Sequence, residues 1–316
     1  MRTACRFEGS GEAVPRPAGT VRPRRRPGRC ATGAESGVAH YIWPMTEGRP
    51  TRPDPEQLDR GTPAYYRALG DGCYQPTIHT QGAWNDWEQH MAPVGGLLTH
   101  AIERHEPRPD MQVARLTFEI LGLIPASEVC VHVRTLRPGR TIELVEATLL
   151  AGERALIRGT AWRLSVQDTA HVAGTFAEPM PRFEDEPELD PTELWPGGYI
   201  ASLQMRGDRP EPGRGHAWLS TPYALVDGED VGPLAALVGL VDTANGIATR
   251  ESPREWMFPN VDLTIHLFRQ PVGRRLGLDT TVSFGPQGLG LTSSTLHDEQ
   301  GPFGAAEQIL TVRPMP

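Results

Sequence analysis

The segment that begins Arg115-Leu-Thr-Phe118 and ends Thr148-Leu149 decides the fold, because the chain repeats it. It can be laid without a gap on the segment that begins Asp262-Leu-Thr-Ile265 and ends Thr295-Leu296. In each copy, short runs suited to strands are separated by turn-forming residues, which predicts strand, turn, strand, strand. A repeat this long indicates a duplicated domain, since the repeats of a solenoid are shorter.

An apolar segment that opens on a proline precedes each copy. These segments are Pro93-Val-Gly-Gly-Leu-Leu98 and Pro233-Leu-Ala-Ala-Leu-Val238. Proline is tolerated at the first position of a helix, and apolar residues then recur at helical spacing. The sequence therefore predicts a repeating unit of one helix followed by an antiparallel meander, with the second helix at about 231–249.

Four regions differ in composition along the chain. Residues 1–44 are basic and rich in proline and glycine, which predicts a disordered extension, with a nucleic-acid-binding arm as the alternative. We expect the N-terminal copy at 62–168 and the C-terminal copy at 196–316. The intervening residues 169–195 are acidic and rich in proline, which is typical of a solvated linker.

The overall composition argues against several classes of protein. The formal net charge is -8 and basic residues cluster only in the first segment, so the two copies are not expected to bind nucleic acid. No apolar run approaches the ~18–20 residues of a transmembrane helix, so no membrane partner is expected. Cysteines at 5, 30, 73 and 130 show neither Cys-x-x-Cys spacing nor a paired histidine pattern. This argues against a disulfide framework and a metal site, and it predicts a reducing, cytoplasmic location.

Two polar side chains lie where the pattern predicts buried apolar ones. Asp242 follows Val238 by four residues on the apolar stripe of the second helix, where the first copy has Ile102. Gln308 shares a strand face with Leu310. A buried carboxylate or amide needs hydrogen-bond partners. The simplest interpretation is structural, with Asp242 bonded to a loop amide and Gln308 bonded to the backbone.

Several motifs keep their order and spacing from about Trp84 to the C terminus: Trp87, Gln89-His90, Pro93 with Leu97-Leu98, Leu136-Arg-Pro-Gly-Arg140, Asp242-Thr-Ala-Asn-Gly246, Asn260-Val-Asp-Leu-Thr264, Arg269, Gly290-Leu291 and Gln308. Together they resemble the acyl-CoA thioesterase II-like family. The resemblance implies an α+β double hotdog fold, with two tandem repeats that each have a long helix wrapped by an antiparallel β-sheet. It also implies catalytic roles for Asp242 and Gln308, which align with the family's catalytic aspartate and glutamine.

The third catalytic position departs from the family. Better-known members have a threonine where this chain has Asn260, ahead of Val261-Asp262. An amide can position a water molecule as a hydroxyl does, although its geometry and number of donors differ. We therefore expect Asn260 to be the third residue of the site.

These residues suit an acyl-CoA thioesterase that releases free fatty acid and coenzyme A. Asp242 would act as the base on water, while Gln308 and Asn260 hold the water and the carbonyl in line. No cofactor is needed. Weaker candidates for binding the phosphates of coenzyme A are Arg269, Arg274 and Arg275. Hotdog sheet edges are usually covered by pairing, so we expect a homodimer of double hotdogs.

Two other functions fit the same sequence. One is a non-catalytic double hotdog that binds acyl-CoA or acyl chains. The other is a hotdog enoyl-CoA hydratase, for which Asp86-Trp-Glu-Gln-His90 offers an Asp and His pair, although the hydratase Asn-Pro is missing and the spacing is one residue short. In the thioesterase interpretation, His90 caps or packs at the entry to the first helix. A covalent route is disfavoured because the chain has no Gly-x-Ser-x-Gly elbow.

Overall fold

The computed structural model describes residues 52–316, and the predicted extension at 1–44 lies outside them. The strands of the first half are β1 (Ala64–Gly70), β2 (Cys73–Pro76), β3 (Met111–Ile120), β4 (Val129–Arg137), β5 (Ile142–Ala151) and β6 (Arg154–Ser165). Those of the second half are β7 (Glu188–Leu189), β8 (Gln204–Glu211), β9 (Arg214–Ser220), β10 (Ala224–Val226), β11 (Trp256–Met257), β12 (Asp262–Leu267), β13 (Leu276–Phe284), β14 (Leu289–Asp298), β15 (Gly301–Thr311) and β16 (Arg313–Pro314). The helices are α1 (Met91–Arg104), α2 (Gly198–Ala201), α3 (Pro233–Val241) and α4 (Ala244–Ile247). Single 3₁₀ turns lie at Pro55–Gln57, Ile78–Thr80, Ala170–Val172, Phe183–Asp185 and Pro191–Glu193.

Fourteen strands form one sheet, in the order β10-β1-β2-β4-β5-β6-β3-β12-β15-β14-β13-β9-β8-β7. Strands β3 and β12 pair antiparallel at the centre, with Leu116 opposite Ile265. Outward from this pair, β6, β5 and β4 follow on one side, and β15, β14 and β13 follow on the other. The two aligned sequence segments therefore form two matching halves of one sheet, and the predicted strands of both copies are confirmed.

Helices α1 and α3 pack against each other and against one face of the sheet. They approach most closely at two glycines, because a methyl group added to Gly96 would come within 2.9 Å of the Cα atom of Gly239. Only glycine permits this separation of the two backbones. The apolar stripes predicted from the sequence are buried in one shared core, which includes Leu97, Leu98, Ile102, Leu237 and Val238. Within residues 52–316, no helix has the length and apolarity needed to cross a bilayer.

The second helix is shorter than the predicted span of 231–249. Helix α3 ends at Val241, and α4 begins only at Ala244. Between them the backbone tightens, with the Thr243 N–H donating to Leu240 O at 3.2 Å, as in a 3₁₀ turn. The side chain of Asp242 is bonded to two segments of the sheet, and Thr243 Oγ1 is bonded to Tyr199. These side-chain bonds stabilise the turn, so that α3 and α4 do not form one continuous helix. The hydropathy pattern of the sequence does not reveal this break.

The linker at 169–195 is less solvated than its composition predicts. Its strand β7 pairs with β8. The indole N–H of Trp218 donates to Pro181 O at 2.8 Å, and His297 Nε2 donates to Glu178 O at 3.0 Å. Both side chains alternate with core residues in their strands, so they lie on the outer face of the sheet. The linker therefore covers part of that outer face.

The structure contradicts the expectation that the cysteines form no disulfide. Cys73 of β2 lies directly opposite Cys130 of β4, and their sulfur atoms are bonded. The two residues are 57 positions apart, so spacing motifs do not reveal the pair. A reducing compartment is inferred from the expected lack of a disulfide, and the bonded pair removes that argument.

Candidate active site

Asp242 occupies the turn that ends α3. Its side chain is buried, with only 4% of the residue exposed. Helix α3 is apolar, and the turn after Val241 directs the carboxyl group toward the second half of the sheet. A carboxylate at this depth is costly unless other groups bond to it.

Asn260 and Gln308 supply those bonds. Asn260, just before β12, donates from Nδ2 to Asp242 Oδ1 at 2.6 Å and also to the backbone O of Asp262 at 3.0 Å. Gln308, in β15, donates from Nε2 to the same Oδ1 at 2.8 Å. The structure thus brings together the three residues that the sequence singled out, from a helix end and two neighbouring strands.

Two acceptor atoms of this cluster take no part in the bonds among the three residues. Gln308 Oε1 is buried and has no hydrogen-bond partner within residues 52–316. Asp242 Oδ2 accepts none of the bonds described above, and the Nδ1 atom of His90 lies 3.8 Å from it. A molecule with two O–H donors, such as water, can bond to both oxygens.

Burial raises the pKa of Asp242 from 3.8 to about 7. The bonds from Asn260 and Gln308 oppose this shift, and the charge of Asp262 adds to it. A general base is most effective when its pKa lies near the working pH. The carboxyl group of Asp242 is therefore suited to exchange a proton with water near neutrality.

His90 caps the start of α1, as predicted for a helix-entry histidine. Its Nδ1 accepts the backbone N–H of Ala92 at 3.1 Å, and its ring stacks on Tyr199 with a centroid distance of 4.2 Å. Burial lowers the pKa of His90 to about 3, so the ring is neutral. No sequence pattern predicts that this histidine of the first copy lies beside Asp242 of the second, because the two residues are far apart in the chain.

A narrow cleft of about 30 Å³ lies beside His90 and Thr243. Its apolar walls include Trp84, Trp195, Ile200 and Met205. Arg209 also lines it, and the buried Nε of this residue has no partner among the described residues. The cleft combines an apolar lining with a few polar groups, as small-molecule sites do, although its volume is far below the ~300 Å³ at which such sites begin.

Comparison with known protein families identifies both halves of the chain. Residues 80–164 match the acyl-CoA thioesterase N-terminal domain, and residues 176–312 match the acyl-CoA thioesterase C-terminal domain. The chain belongs to the acyl-CoA thioesterase family. No curated protein matches it.

Solved structures support the same fold. A hotdog-fold protein of unknown function from Alicyclobacillus acidocaldarius has a TM-score of 0.62 at 14% identity, covering 79% of this chain and 96% of that one. The acyl-CoA thioesterase II TesB2 of Mycobacterium marinum has a TM-score of 0.56 at 16% identity, covering 79% and 95%. The tesB protein of Mycobacterium avium subs paratuberculosis has a TM-score of 0.55 at 14% identity, covering 79% and 96%. At these identities the likeness establishes a hotdog fold.

The three arginines predicted to bind the phosphates of coenzyme A make different contacts. Every N–H of the Arg269 guanidinium is used, because it forms a two-pronged pair with buried Asp298 at 2.6 Å and donates to three backbone oxygens. Arg269 therefore holds the fold together, and its guanidinium has no N–H group left over for a phosphate. Arg274 donates to Val231 O at 3.3 Å, next to the start of α3. Arg275 lies over the ring of Phe183 at 4.2 Å. Neither contact places a guanidinium beside Asp242.

A second buried carboxyl group lies where the end of α1 meets the start of α3. The carboxyl group of Glu103, near the end of α1, lies against Gly232 and accepts the backbone N–H of Ala235 in the first turn of α3. Burial raises the pKa of Glu103 to about 7, opposed by this bond and by the charge of Arg163. Glu103 thus acts as a cap for α3. Glu103 is the neighbour of Ile102, which occupies the position equivalent to Asp242 in the first copy.

Proposed function

We propose that this chain hydrolyses acyl-CoA to free fatty acid and coenzyme A, with Asp242 as the general base. The observation that carries the proposal is the Asp242 carboxyl group, which is buried, held through Oδ1 by Asn260 and Gln308, and open at Oδ2. Membership of the acyl-CoA thioesterase family supports the reaction class.

In the proposed mechanism, a water molecule donates one hydrogen bond to Asp242 Oδ2 and the other to Gln308 Oε1. Asp242 removes a proton as the water oxygen attacks the thioester carbonyl carbon, and the carbonyl oxygen becomes an oxyanion. Collapse of this intermediate breaks the C–S bond and releases the coenzyme A thiolate. The proton held by Asp242 then passes to the sulfur, which restores the base. Positioning of water by two fixed acceptors lowers the entropic cost of attack.

The proposed architecture is a double hotdog, with copies at 62–168 and 196–316 joined by the linker 169–195. The matching strand order on both sides of the β3 and β12 pair supports this division. The acyl group would approach the site along the apolar side chains of Trp84 and Trp195, which line the narrow cleft beside His90. A homodimer and a cytoplasmic location remain predictions from the sequence.

The surroundings of Asp86 and His90 argue against the hydratase alternative, which needs these two residues to act together. Asp86 is exposed, whereas the ring of His90 is stacked on Tyr199 and directed toward Asp242. The His90 Nδ1 atom already accepts the N–H of Ala92. This ring cannot take up a proton at Nδ1 without losing that bond, so it is poorly suited to act as a hydratase base.

Thiol release from acyl-CoA tests the proposed function. Purified protein would be assayed with a chain-length series from acetyl-CoA to palmitoyl-CoA, with hydration of an enoyl-CoA followed in parallel. We expect thiol release for part of the series and no hydration. Binding of acyl-CoA without thiol release at any length would support the non-catalytic alternative instead.

One site per chain is expected, because the first copy has the apolar residue Ile102 where the second copy has Asp242. Titration with a non-hydrolysable acyl-CoA ketone analogue, followed by calorimetry, should saturate at one equivalent per chain. The Glu103→Gln variant keeps an acceptor for the N–H of Ala235, and it should leave stoichiometry and hydrolysis unchanged. Saturation at two equivalents per chain would contradict the assignment of a single site.

Replacing Asn260 with Thr is expected to preserve or raise activity. The threonine hydroxyl can donate one hydrogen bond to Asp242 Oδ1, although it cannot also bond to the backbone O of Asp262. The Asn260→Ala variant removes both bonds and should lower kcat roughly tenfold. Equal kcat values for the alanine variant and the wild type would show that Asn260 does not position the base.

A further inference from the structure

The ring of His90 stands between the base and the cleft. Its Nδ1 atom lies 3.8 Å from Asp242 Oδ2, and the same side chain lines the cleft. His90 comes from the first copy, whereas Asp242, Asn260 and Gln308 come from the second. The site is therefore completed by one side chain across the contact between the copies.

The hydrogen bond at Nδ1 determines where the ring carries its proton. The backbone N–H of Ala92 is always a donor, so Nδ1 must offer its lone pair to it. In a neutral imidazole the proton then resides on Nε2. Burial keeps the ring neutral, since it lowers the pKa of His90 to about 3.

The Nε2–H group is the part of the ring left for a ligand. The hydrogen bond that the structure shows for His90 uses Nδ1, and 15% of the side chain remains exposed where it lines the cleft. The ring is held in place by its stacking on Tyr199, whose hydroxyl is bonded to Thr243 Oγ1 at 2.8 Å. The donor is thus fixed in orientation before any ligand binds.

We infer that His90 is a further catalytic residue, whose Nε2–H donates a hydrogen bond to the thioester carbonyl oxygen of the substrate. This inference rests on the proposed thioester hydrolysis. As water attacks, negative charge grows on the carbonyl oxygen and the hydrogen bond strengthens. Removal of one such donor commonly lowers kcat by ~10²–10³-fold. His90 transfers no proton, so it differs in role from Asp242.

Two variants separate this role from the capping role. In Asn, the side-chain oxygen takes the place of Nδ1, so His90→Asn retains the helix cap and removes the donor. In Gln, the terminal amide takes the place of Nε2, so His90→Gln retains a donor and removes the cap. We expect His90→Asn to lower kcat roughly 10²-fold with little change in KM or melting temperature. We expect His90→Gln to stay within about tenfold of wild-type kcat and to melt roughly 2–4 °C lower.

A merely structural histidine would give the opposite ranking, with full activity in His90→Asn and impaired activity in His90→Gln. That result would overturn the inference while leaving the proposed function intact. The pH profile gives a further check, because a neutral donor adds no ionisation. The ionisation that limits kcat/KM near pH 7 should persist in His90→Asn, since it belongs to Asp242.

An infrared measurement tests the hydrogen bond even if no acyl-CoA is hydrolysed. The probe is a hexanoyl-CoA ketone analogue with a CH₂ group between the sulfur and a ¹³C-labelled carbonyl carbon. A donor at the carbonyl oxygen lowers the stretching frequency of the bound probe. We expect a lowered frequency in the wild type and in His90→Gln, and a smaller shift in His90→Asn. Equal frequencies in the wild type and His90→Asn, or no bound signal in the wild type, would overturn the inference.

Discussion

Replacing Asp242 with Asn is expected to lower the rate of acyl-CoA hydrolysis by roughly 10²–10⁴-fold while the protein stays folded. Asn is nearly the same shape and keeps an Oδ1 acceptor for the Asn260 and Gln308 amides. It lacks the second carboxyl oxygen, which is the atom that takes the proton from water. The measurement is kcat and kcat/KM by thiol release on the best acyl-CoA, beside the circular dichroism spectrum.

Asp262→Asn is the matched control for this variant. In the wild type, the carboxyl group of Asp262 accepts a hydrogen bond from the backbone N–H of Ile309 at 2.7 Å, and the side-chain oxygen of Asn can keep that bond. The control should retain activity, and its pH profile should move slightly lower, because the charge of Asp262 contributes to the raised pKa of Asp242. Full activity in Asp242→Asn would make Asp242 a structural carboxylate and would favour the acyl-binding alternative.

Gln308→Ala should lose less activity than Asp242→Asn, since it removes a positioning group and not the base. In a double variant that combines Gln308→Ala with Asp242→Asn, the loss of activation free energy should be smaller than the sum of the two single losses. The reason is that both side chains serve one water molecule. Strict additivity would indicate that Gln308 acts on a separate step.

Asp242→Asn is also expected to make the protein more stable than the wild type at alkaline pH and equally stable in acid. Burial raises the pKa of Asp242 from 3.8 to about 7, so the folded state holds its proton more tightly than the unfolded state. Below about pH 4 the carboxyl group is protonated in both states and causes no difference. Between about pH 4 and 7 the unfolded state releases the proton first, so the wild type loses stability as pH rises. Above about pH 7 the loss is complete, at roughly 4 kcal/mol.

Denaturant unfolding of both proteins at about pH 4 and about pH 8.5 measures this difference. Glu103 titrates in the same range, but it is present in both proteins and cancels from the comparison. Hydrolysis should depend on the same ionisation in the opposite sense, with kcat/KM rising roughly tenfold per pH unit up to about pH 7. Equal stabilities at both pH values would mean that the ionised carboxylate costs the fold nothing.

The repeat made much of the fold predictable. Strand periodicity is a local property of the sequence. Strands β3, β4 and β5, and their counterparts β12, β13 and β14 in the second copy, therefore appear where the two aligned segments predict them. The polar residues Asp242 and Gln308 could be selected because each interrupts an apolar pattern, and Asn260 because it aligns with a family position. The contact between Arg269 and buried Asp298 could not be predicted, because the two residues are distant in sequence and no local pattern connects them.

By itself, then, the sequence determined which segments are strands and helices, and which polar side chains stand on apolar faces, because these depend on neighbours a few positions away. Only the tertiary structure decided which distant residues meet. The Cys73 and Cys130 disulfide, the break between α3 and α4, and the approach of His90 to Asp242 all follow from packing of separate segments. The physical reason is that contacts between segments far apart in sequence depend on how those segments pack: β2 pairs with β4 at the two cysteines, and the start of α1 lies beside the end of α3 at His90 and Asp242.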